Sequence, residues 1–455
     1  MRYYVDPFGC AKNQVDAENM MLYLNNAGWS AAQDAADADI IIVNSCGFIQ
    51  SAKQESINAV LAWRRLHPGK KILLAGCLAQ RYAQELAESL PEADGFFGVD
   101  DISQIAEKVN SLMGSGGAVS GEMMPASSRP LLSLPGCAYV KISEGCDNNC
   151  TFCAIPLIRG PLRCRTVADI VNECRLLLAR GIRELCVIGQ DIGSYRSDGA
   201  GLPELLNAIA GLEGNFWARL LYIHPDHFPL PILDLMERDR RFLPYFDIPF
   251  QHASPKILSA MNRHGFAEDY ISLAATIRAR IPAAVIRTTF LLGFPGETDA
   301  DFAALLDFQQ KLRADWLGCF AYSREENTPA SAILGQVPAK TAARRQREIE
   351  TRQIPITEKS VDRFIGQSLD ALLEERFEGG DGGEPLWLGR LYCHAPEVDG
   401  AAVVTGAAME ARAGDVIPCT VVARRGVDCI AKGTKYPRTC GSETNTLPKQ
   451  QPLGC

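Results

Sequence analysis

The chain has 455 residues, too many for one hydrophobic core, so about two to four domains are expected. Its 47% apolar and 22% charged residues exclude a disordered protein, and no run of eighteen apolar residues offers a membrane span. A net charge of −8 argues against a broad nucleic-acid surface, while sixteen cysteines behind a start that lacks a long apolar export segment point to reduced thiols, metal ligation and a cytoplasmic protein.

Short apolar runs alternate with helical patterns at the start of the chain. Tyr3–Phe8 predicts a strand, and Asp16–Ala27 a helix with Met20, Met21 and Leu24 on one face and Gly28 at its end. Ile40–Val43 and Lys71–Ala75 predict buried strands, with a helix bearing Ile57, Val60 and Leu61 between them. A helix near Tyr82–Leu90 and the short run Phe96–Val99 follow. This alternation implies a doubly wound parallel sheet covered on both faces. Cys10, Cys46 and Cys77 each stand just past one of the first three strands, two of them directly after Gly. Ligands of open parallel sheets bind outside the carboxyl ends of the strands, so three thiols delivered there could converge on one metal. The plainer alternative is three small buried hydrophobes.

Gly114–Pro130 is rich in Gly, Ser, Met and Pro and reads as a linker. We place it at residues 114–131, between an N-terminal domain of residues 1–113 and a central one of residues 132–364. A strand at Ala138–Ile142 leads into the loop of Cys146, Cys150 and Cys153, with Phe152 directly before the last. Three thiols so close cannot all pair, and zinc would want four ligands from Cys and His where no His lies within seventy residues. Thiolates hold iron–sulfur cubes, and three of them leave one iron open to a small chelator. Strands are predicted next at Glu184–Ile188, Arg219–Ile223, Tyr245–Ile248, Ala284–Leu292 and Trp316–Tyr322. Helices at Val167–Ala179, Pro203–Leu212, Tyr270–Ala279 and Asp299–Leu312 separate them. Six strands in this order suit a (βα)6 partial TIM barrel whose site collects at the carboxyl ends, where the Cys146 loop lies. His252 reads as a satisfied strand-end histidine, Glu144 as structural rather than a general base, and Cys164 as no ligand.

Five short strands, Ser368–Phe377, Leu386–Tyr392, Ala402–Val404, Val416–Ala423 and Asp428–Ala431, predict a small β-barrel over residues 365–433. From Gly366 to Ile430 eleven acids face five bases, a net of −6. That is the opposite of a phosphate-binding surface and suits a basic partner. The polar, Pro-containing residues 434–455 are expected to be disordered, and Cys440 and Cys455 have no neighbours that suggest a site.

Cys146, Cys150 and Cys153 resemble the radical S-adenosylmethionine (SAM) signature. With Lys141–Glu144 before them and Ala154–Pro156, Arg159 and Gly160 after, they resemble the methylthiotransferases. Gly9–Asn13, Val43–Phe48 and Ala75–Gln80 resemble that family's N-terminal cluster domain, residues 365–433 its TRAM domain, and Ala395–Gly400 its RimO type. One departure stands out: the family usually has Ser where Cys164 lies. The resemblance implies two 4Fe–4S clusters, each on three thiolates with an open iron. Cys146, Cys150 and Cys153 would hold the cluster that chelates SAM, and Cys10, Cys46 and Cys77 the one that donates sulfur. Phe152 and Gln190 are the implied SAM contacts. The implied reaction replaces C–H by a methylthio group on the β-carbon of an aspartate in the small-subunit ribosomal protein of the decoding centre. It would use two SAM, a sulfur donor and a low-potential electron donor. One alternative is the sister enzyme acting on a tRNA adenosine, against which the acidic final domain counts. The other is a two-cluster electron carrier or sensor, which would complete each cluster with four ligands.

Overall fold

A computed structural model describes residues 1–114, 128–378 and 385–433. The first part runs β1 (Arg2–Pro7), α1 (Ala11–Asn26), β2 (Ser30–Ala31), β3 (Ile40–Ser45), α2 (Gln50–Leu66), β4 (Lys71–Gly76), α3 (Cys77–Ser89), β5 (Gly95–Phe97) and α4 (Ile105–Met113). The strands pair in parallel in the order β2-β1-β3-β4-β5. Side chains of a strand alternate between faces. Ile40 and Ile42 therefore pack with Met20 and Leu24 of α1 and Val109 of α4. Ile41 and Val43 pack on the other side with Val60 of α2 and Leu78 and Leu86 of α3. The sheet is doubly wound, as expected. Two helices begin earlier than their hydrophobic period suggests, α1 at Ala11 and α3 at Cys77. The backbone of Tyr82 is non-helical and kinks α3, and the periodic pattern had caught only the part beyond the kink.

The central part contains β6 (Cys137–Lys141), β7 (Ser143–Glu144), α5 (Ile155–Arg159), β8 (Arg163–Cys164), α6 (Val167–Ala179) and β9 (Glu184–Ile188). A small hairpin, β10 (Arg196–Ser197) and β11 (Ala200–Gly201), precedes α7 (Leu202–Ala210), β12 (Trp217–Leu220), α8 (Ile232–Arg238) and β13 (Phe242–Asp247). Then come α9 (Pro255–Ala260), α10 (Ala267–Arg280), β14 (Val285–Leu292), α11 (Asp299–Leu312), β15 (Trp316–Ala321) and α12 (Ala339–Asp362). Six parallel strands, β6-β9-β12-β13-β14-β15, form an open sheet, the partial barrel anticipated. Ala138, Val140, Leu185 and Val187 turn outward under the helices.

β16 (Ser368–Phe377), β17 (Leu386–Arg390), β18 (Ala402–Thr405), β19 (Val416–Arg425) and β20 (Asp428–Gly433) close a small barrel. It shares one core with the inner face of the central sheet, where Leu372, Trp387 and Leu391 meet Trp217, Tyr245 and Trp316. Glu184 of β9 bridges the two, accepting from Arg219 of β12 and pairing with Arg390 of β17, each at 2.6 Å. Part of the expected linker is pinned: Arg129 is buried and paired with Glu18 of α1 at 2.9 Å and with Glu173 of α6. The rest of that linker, and the expected tail with Cys440 and Cys455, lie outside the described residues. Among the described residues no helix is long and apolar enough to cross a membrane.

Candidate metal centres

The carboxyl ends of β1, β3 and β4 deliver Cys10, Cys46 and Cys77 to one place. Close backbone approach brings them there. Gly9 has φ +94, and a Cβ on it would lie 3.1 Å from the Cβ of Cys46. Gly76 has φ +97, and a Cβ on it would lie 2.6 Å from the carbonyl of Ser45. A Cβ on Gly47 would come within 2.7 Å of the Cys77 carbonyl. Asn13 fastens the loops: its Nδ2 donates to the carbonyls of Phe8 (2.7 Å) and Ser45 (2.9 Å), and its Oδ1 accepts from the Cys77 thiol. Burial raises the Cys46 thiol and pushes Cys77 up to about 12. At Cys10, burial is outweighed by the charges of Lys12 and Arg159 and by backbone N–H groups, which bring it below its ordinary value.

The second set lies on the loop between β7 and α5. Gly145 has φ +73, and any Cβ there would lie 2.1 Å from the Pro161 carbonyl. Thr151 anchors the loop to the barrel, donating its N–H to Met261 and its hydroxyl to Ala260, while its carbonyl accepts from Ala330. Burial raises all three thiols, Cys146 up to about 11 and Cys153 up to about 12. Asp191, just past β9, organises the loop's surroundings. Its carboxylate accepts from Asn148 and His227 at 2.9 Å, from Ser194 at 2.6 Å, and from the backbone of Gly193 and His224 at 3.0 Å. Although burial pushes it up, these bonds hold it well below the usual carboxylate range. Outside the loop, a cleft of about 480 Å³ opens between Asn148, His227 and His264.

Three thiolates on one tetrahedral zinc would lie about 3.8 Å apart. Among the described residues, Cys137, Glu184 and Cys186 are the only trio whose metal-binding atoms all lie within 4.8 Å of one another. In neither thiol triad do all three sulfurs lie that close together, as one ion would require, and thiolates are the ligands of iron–sulfur cubes. The tighter trio is no rival, because the Glu184 carboxylate already serves two arginines.

Between the triads lies a buried charge quartet. Arg159, at the end of α5, donates to Asp16 and Glu144 at 2.8 Å each, and Lys141 pairs with the same two carboxylates. The Arg159 guanidinium also lies 3.0 Å from the Cys77 sulfur. Beside it, Ala154 and Ile158, directly after Cys153, pack on Cys77 and Val99. Burial pushes Glu144 up, but Lys141 and Arg159 overcome it and hold the carboxyl down at about 2, so it stays ionised. Gln190 donates to Glu144 at 3.1 Å and keeps its own buried carbonyl oxygen without a partner. Phe152 packs half-buried on Ile257, Met261 and Phe294. His252 is fully buried and neutral, with Nδ1 accepting from the Ser254 N–H. Cys164 sits apart on β8, accepting from the Arg196 N–H. Asp191, Arg159 and Asn13 escaped the sequence reading as site organisers. Asn13 and Arg159 are among the residues that carry the family resemblance, but nothing in the one-dimensional pattern shows which carbonyls or thiols they reach.

Three family models match the chain: "Uncharacterized protein family UPF0004" over residues 2–98, "Radical SAM superfamily" over 140–308 and "TRAM domain" over 365–433. A "Ribosomal protein uS12 methylthiotransferase RimO" of Treponema denticola is 47% identical over 431 residues, covering 88% of this chain and 92% of the relative. The protein of the same name from Carboxydothermus hydrogenoformans is 38% identical over 411 residues, with 88% and 92% covered. Among solved structures, the radical SAM methyltransferase TsrM of Kitasatospora setae aligns with a TM-score of 0.54 at 17% identity. The alignment covers 72% of this chain and 76% of that one, a likeness of fold.

Proposed function

Because this chain belongs to the RimO family of radical SAM methylthiotransferases, we propose that it places a methylthio group on the β-carbon of an aspartate in the small-subunit ribosomal protein for which its relatives are named. Two 4Fe–4S clusters and SAM are its cofactors. Cys146, Cys150 and Cys153 would hold the SAM-chelating cluster, and Cys10, Cys46 and Cys77 the cluster that bears the sulfur. When bound, these groups supply one-electron bond cleavage that can remove hydrogen from an unactivated carbon, and a sulfur to replace it. The chain's own residues do the rest. The glycine turns let the backbone of each triad approach closely, Arg159 and Lys141 pair with Asp16 and keep Glu144 ionised between the sites, and the packing of Ala154 and Ile158 on Cys77 excludes water. Gln190, through its free carbonyl oxygen, and Phe152, through its half-buried ring, would contact SAM. In this reading the domains are residues 1–113, 132–364 and 365–433, joined by a linker at 114–131, and the enzyme works in the cytoplasm with a low-potential electron donor.

The observation that carries the reading is the meeting of two three-thiol sets across one packed interface, where Arg159 from the second loop touches Cys77 of the first. The acidic final barrel supports a basic protein rather than tRNA as partner. Anaerobically reconstituted protein, given SAM, sulfide, a strong reductant and the ribosomal protein, should add about 46 Da to that protein, one S–CH3 for one H. Product on tRNA alone, or SAM cleavage with no methylthio product, would overturn it.

A further inference from the structure

Lys141, Arg159 and Arg219, all buried in the molecule's centre, each answer to a carboxylate. Lys12 does not. It stands in the first turn of α1, two residues after Cys10, and reaches across to the central barrel. There its ammonium lies 3.3 Å from the centroid of the Tyr222 ring. Among the described residues this ammonium makes no hydrogen bond and no ion pair with a carboxylate, whereas the Lys12 backbone N–H donates to Cys10. The two carboxylates within its electrostatic reach are engaged elsewhere: Glu144 with Lys141 and Arg159, and Asp247 with Arg287 at 3.2 Å.

Tyr222 is placed with care. It lies two residues past the end of β12, at the carboxyl edge where barrel chemistry collects. Its φ of +68 is a left-handed conformation that a tyrosine adopts only under constraint. The constraint is visible: its N–H donates to Asp247 at 3.2 Å, and its carbonyl accepts from the Ile192 N–H at 3.0 Å. Lys12 therefore presents, between the Cys10 triad and the mouth of the barrel, a positive charge that no carboxylate pairs with and that acts on the Cys10 thiol alone among nearby unpaired anionic groups. An aromatic face is a weak partner that an anion can displace, since charge-assisted hydrogen bonds are the stronger contact.

We propose that Lys12 receives the side-chain carboxylate of the substrate residue and so selects an aspartate over its amide. The inference rests on the reaction given above, in which the carbon that loses hydrogen is bonded directly to that carboxylate. A cation gripping the carboxylate fixes the carbon one bond away, between the two thiol triads. Asparagine has the same shape but no charge to give Lys12 in return.

The test compares the ribosomal protein with its target-residue Asp→Asn variant, using reconstituted full-length enzyme and methylthiolated product read by mass spectrometry as kcat/KM. The wild-type enzyme should prefer the aspartate protein by about ten- to hundredfold, the worth of one charge-assisted bond. Lys12→Gln should lose about that factor on the aspartate protein, and the preference should fall toward one. Lys12→Arg, which keeps the charge, should retain the preference, and it decides the matter should Lys12→Gln not load both clusters. An unchanged preference in Lys12→Gln overturns the inference alone. So does an equal loss on both proteins, which would put Lys12 on the sulfur-bearing cluster. No product from the wild type on either protein would instead overturn the reaction itself, and the inference with it.

Discussion

Arg159→Met tests how the two triads are held face to face. The Arg159 side chain is 2% exposed and Asp16 is 0% exposed, so their pairing is shielded from water. Asp16, Glu144, Lys141 and Arg159 form a neutral quartet: two acids and two bases. Removing Arg159 leaves one net negative charge buried against the cluster loop, which costs about 3–5 kcal/mol. In a cooperative unit of 150–250 residues, about 2–4 °C of midpoint accompanies each kcal/mol, so Arg159→Met should melt about 6–20 °C lower. Adding Asp16→Asn restores neutrality, because Lys141 and Glu144 remain paired at 2.5 Å. The double variant should therefore be less damaged than the sum of the singles by about 1–3 kcal/mol. The measurement is thermal unfolding of anaerobically purified protein across the four-member cycle. Strict additivity, or an Arg159→Met midpoint within about 2 °C of wild type, would refute the argument that a balanced buried quartet joins the parts.

Replacing Cys10, Cys46 and Cys77 together by Ala should lower bound iron from about eight to about four per chain, with SAM cleavage retained and methylthio product lost. Replacing Cys146, Cys150 and Cys153 should abolish both activities while leaving about four irons, as iron analysis and product chromatography would reveal. Gly76→Ala forces a Cβ to within 2.6 Å of the Ser45 carbonyl at φ +97. It should cost about 1–3 kcal/mol in strain and deplete the Cys77 site of iron first, read by iron analysis and the visible absorption of the loaded protein. His252 is pushed down to about 3, chiefly by burial, from an ordinary value of 6.5. As pH falls below 6.5 the unfolded chain takes up a proton that the folded one refuses, so stability drops about 1.4 kcal/mol per unit, about 2 kcal/mol by pH 5. In His252→Asn that part of the difference between urea midpoints at pH 7 and pH 5 should vanish.

The cysteines were legible because thiols placed straight after strands state their own geometry: a parallel sheet aligns its strand ends, and Cys10, Cys46 and Cys77 follow three of them. Strands such as Glu184–Ile188 and helices such as Val167–Ala179 and Asp299–Leu312 were legible to the residue from period and caps. Helix α12 was not. Its 24 residues are highly charged and contain Pro355, and only buried positions such as Ile349 and Val361 reveal the side facing the barrel. Asp191 could not be read as a hub from the sequence, since its five donors come from three separate segments. Side-chain direction was equally hidden: Lys12 lies within Gly9–Asn13, yet only the folded chain shows that it crosses to Tyr222.

The small barrel decides which way the central sheet can work. Its core meets Cys137, Trp217, Leu243, Val285 and Trp316, which stand at the first or second position of their strands. It therefore occupies the amino end of the sheet and leaves the carboxyl end, with both thiol triads, for a substrate. Folding also weakens the electrostatic case made from composition. Glu374 and Asp399 turn inward to Arg390 and Arg287, at 2.5 and 3.4 Å. Among the described residues of that barrel the exposed acids are Asp370, Glu375, Glu378, Glu397, Glu410 and Asp415, against exposed Arg376, Arg412, Arg425 and Lys432. A surplus of two acids over bases steers a basic partner only gently at physiological salt, where screening acts over about 8 Å. Recognition of the residue to be modified must then rest on contacts at the carboxyl end itself, where Lys12 meets Tyr222.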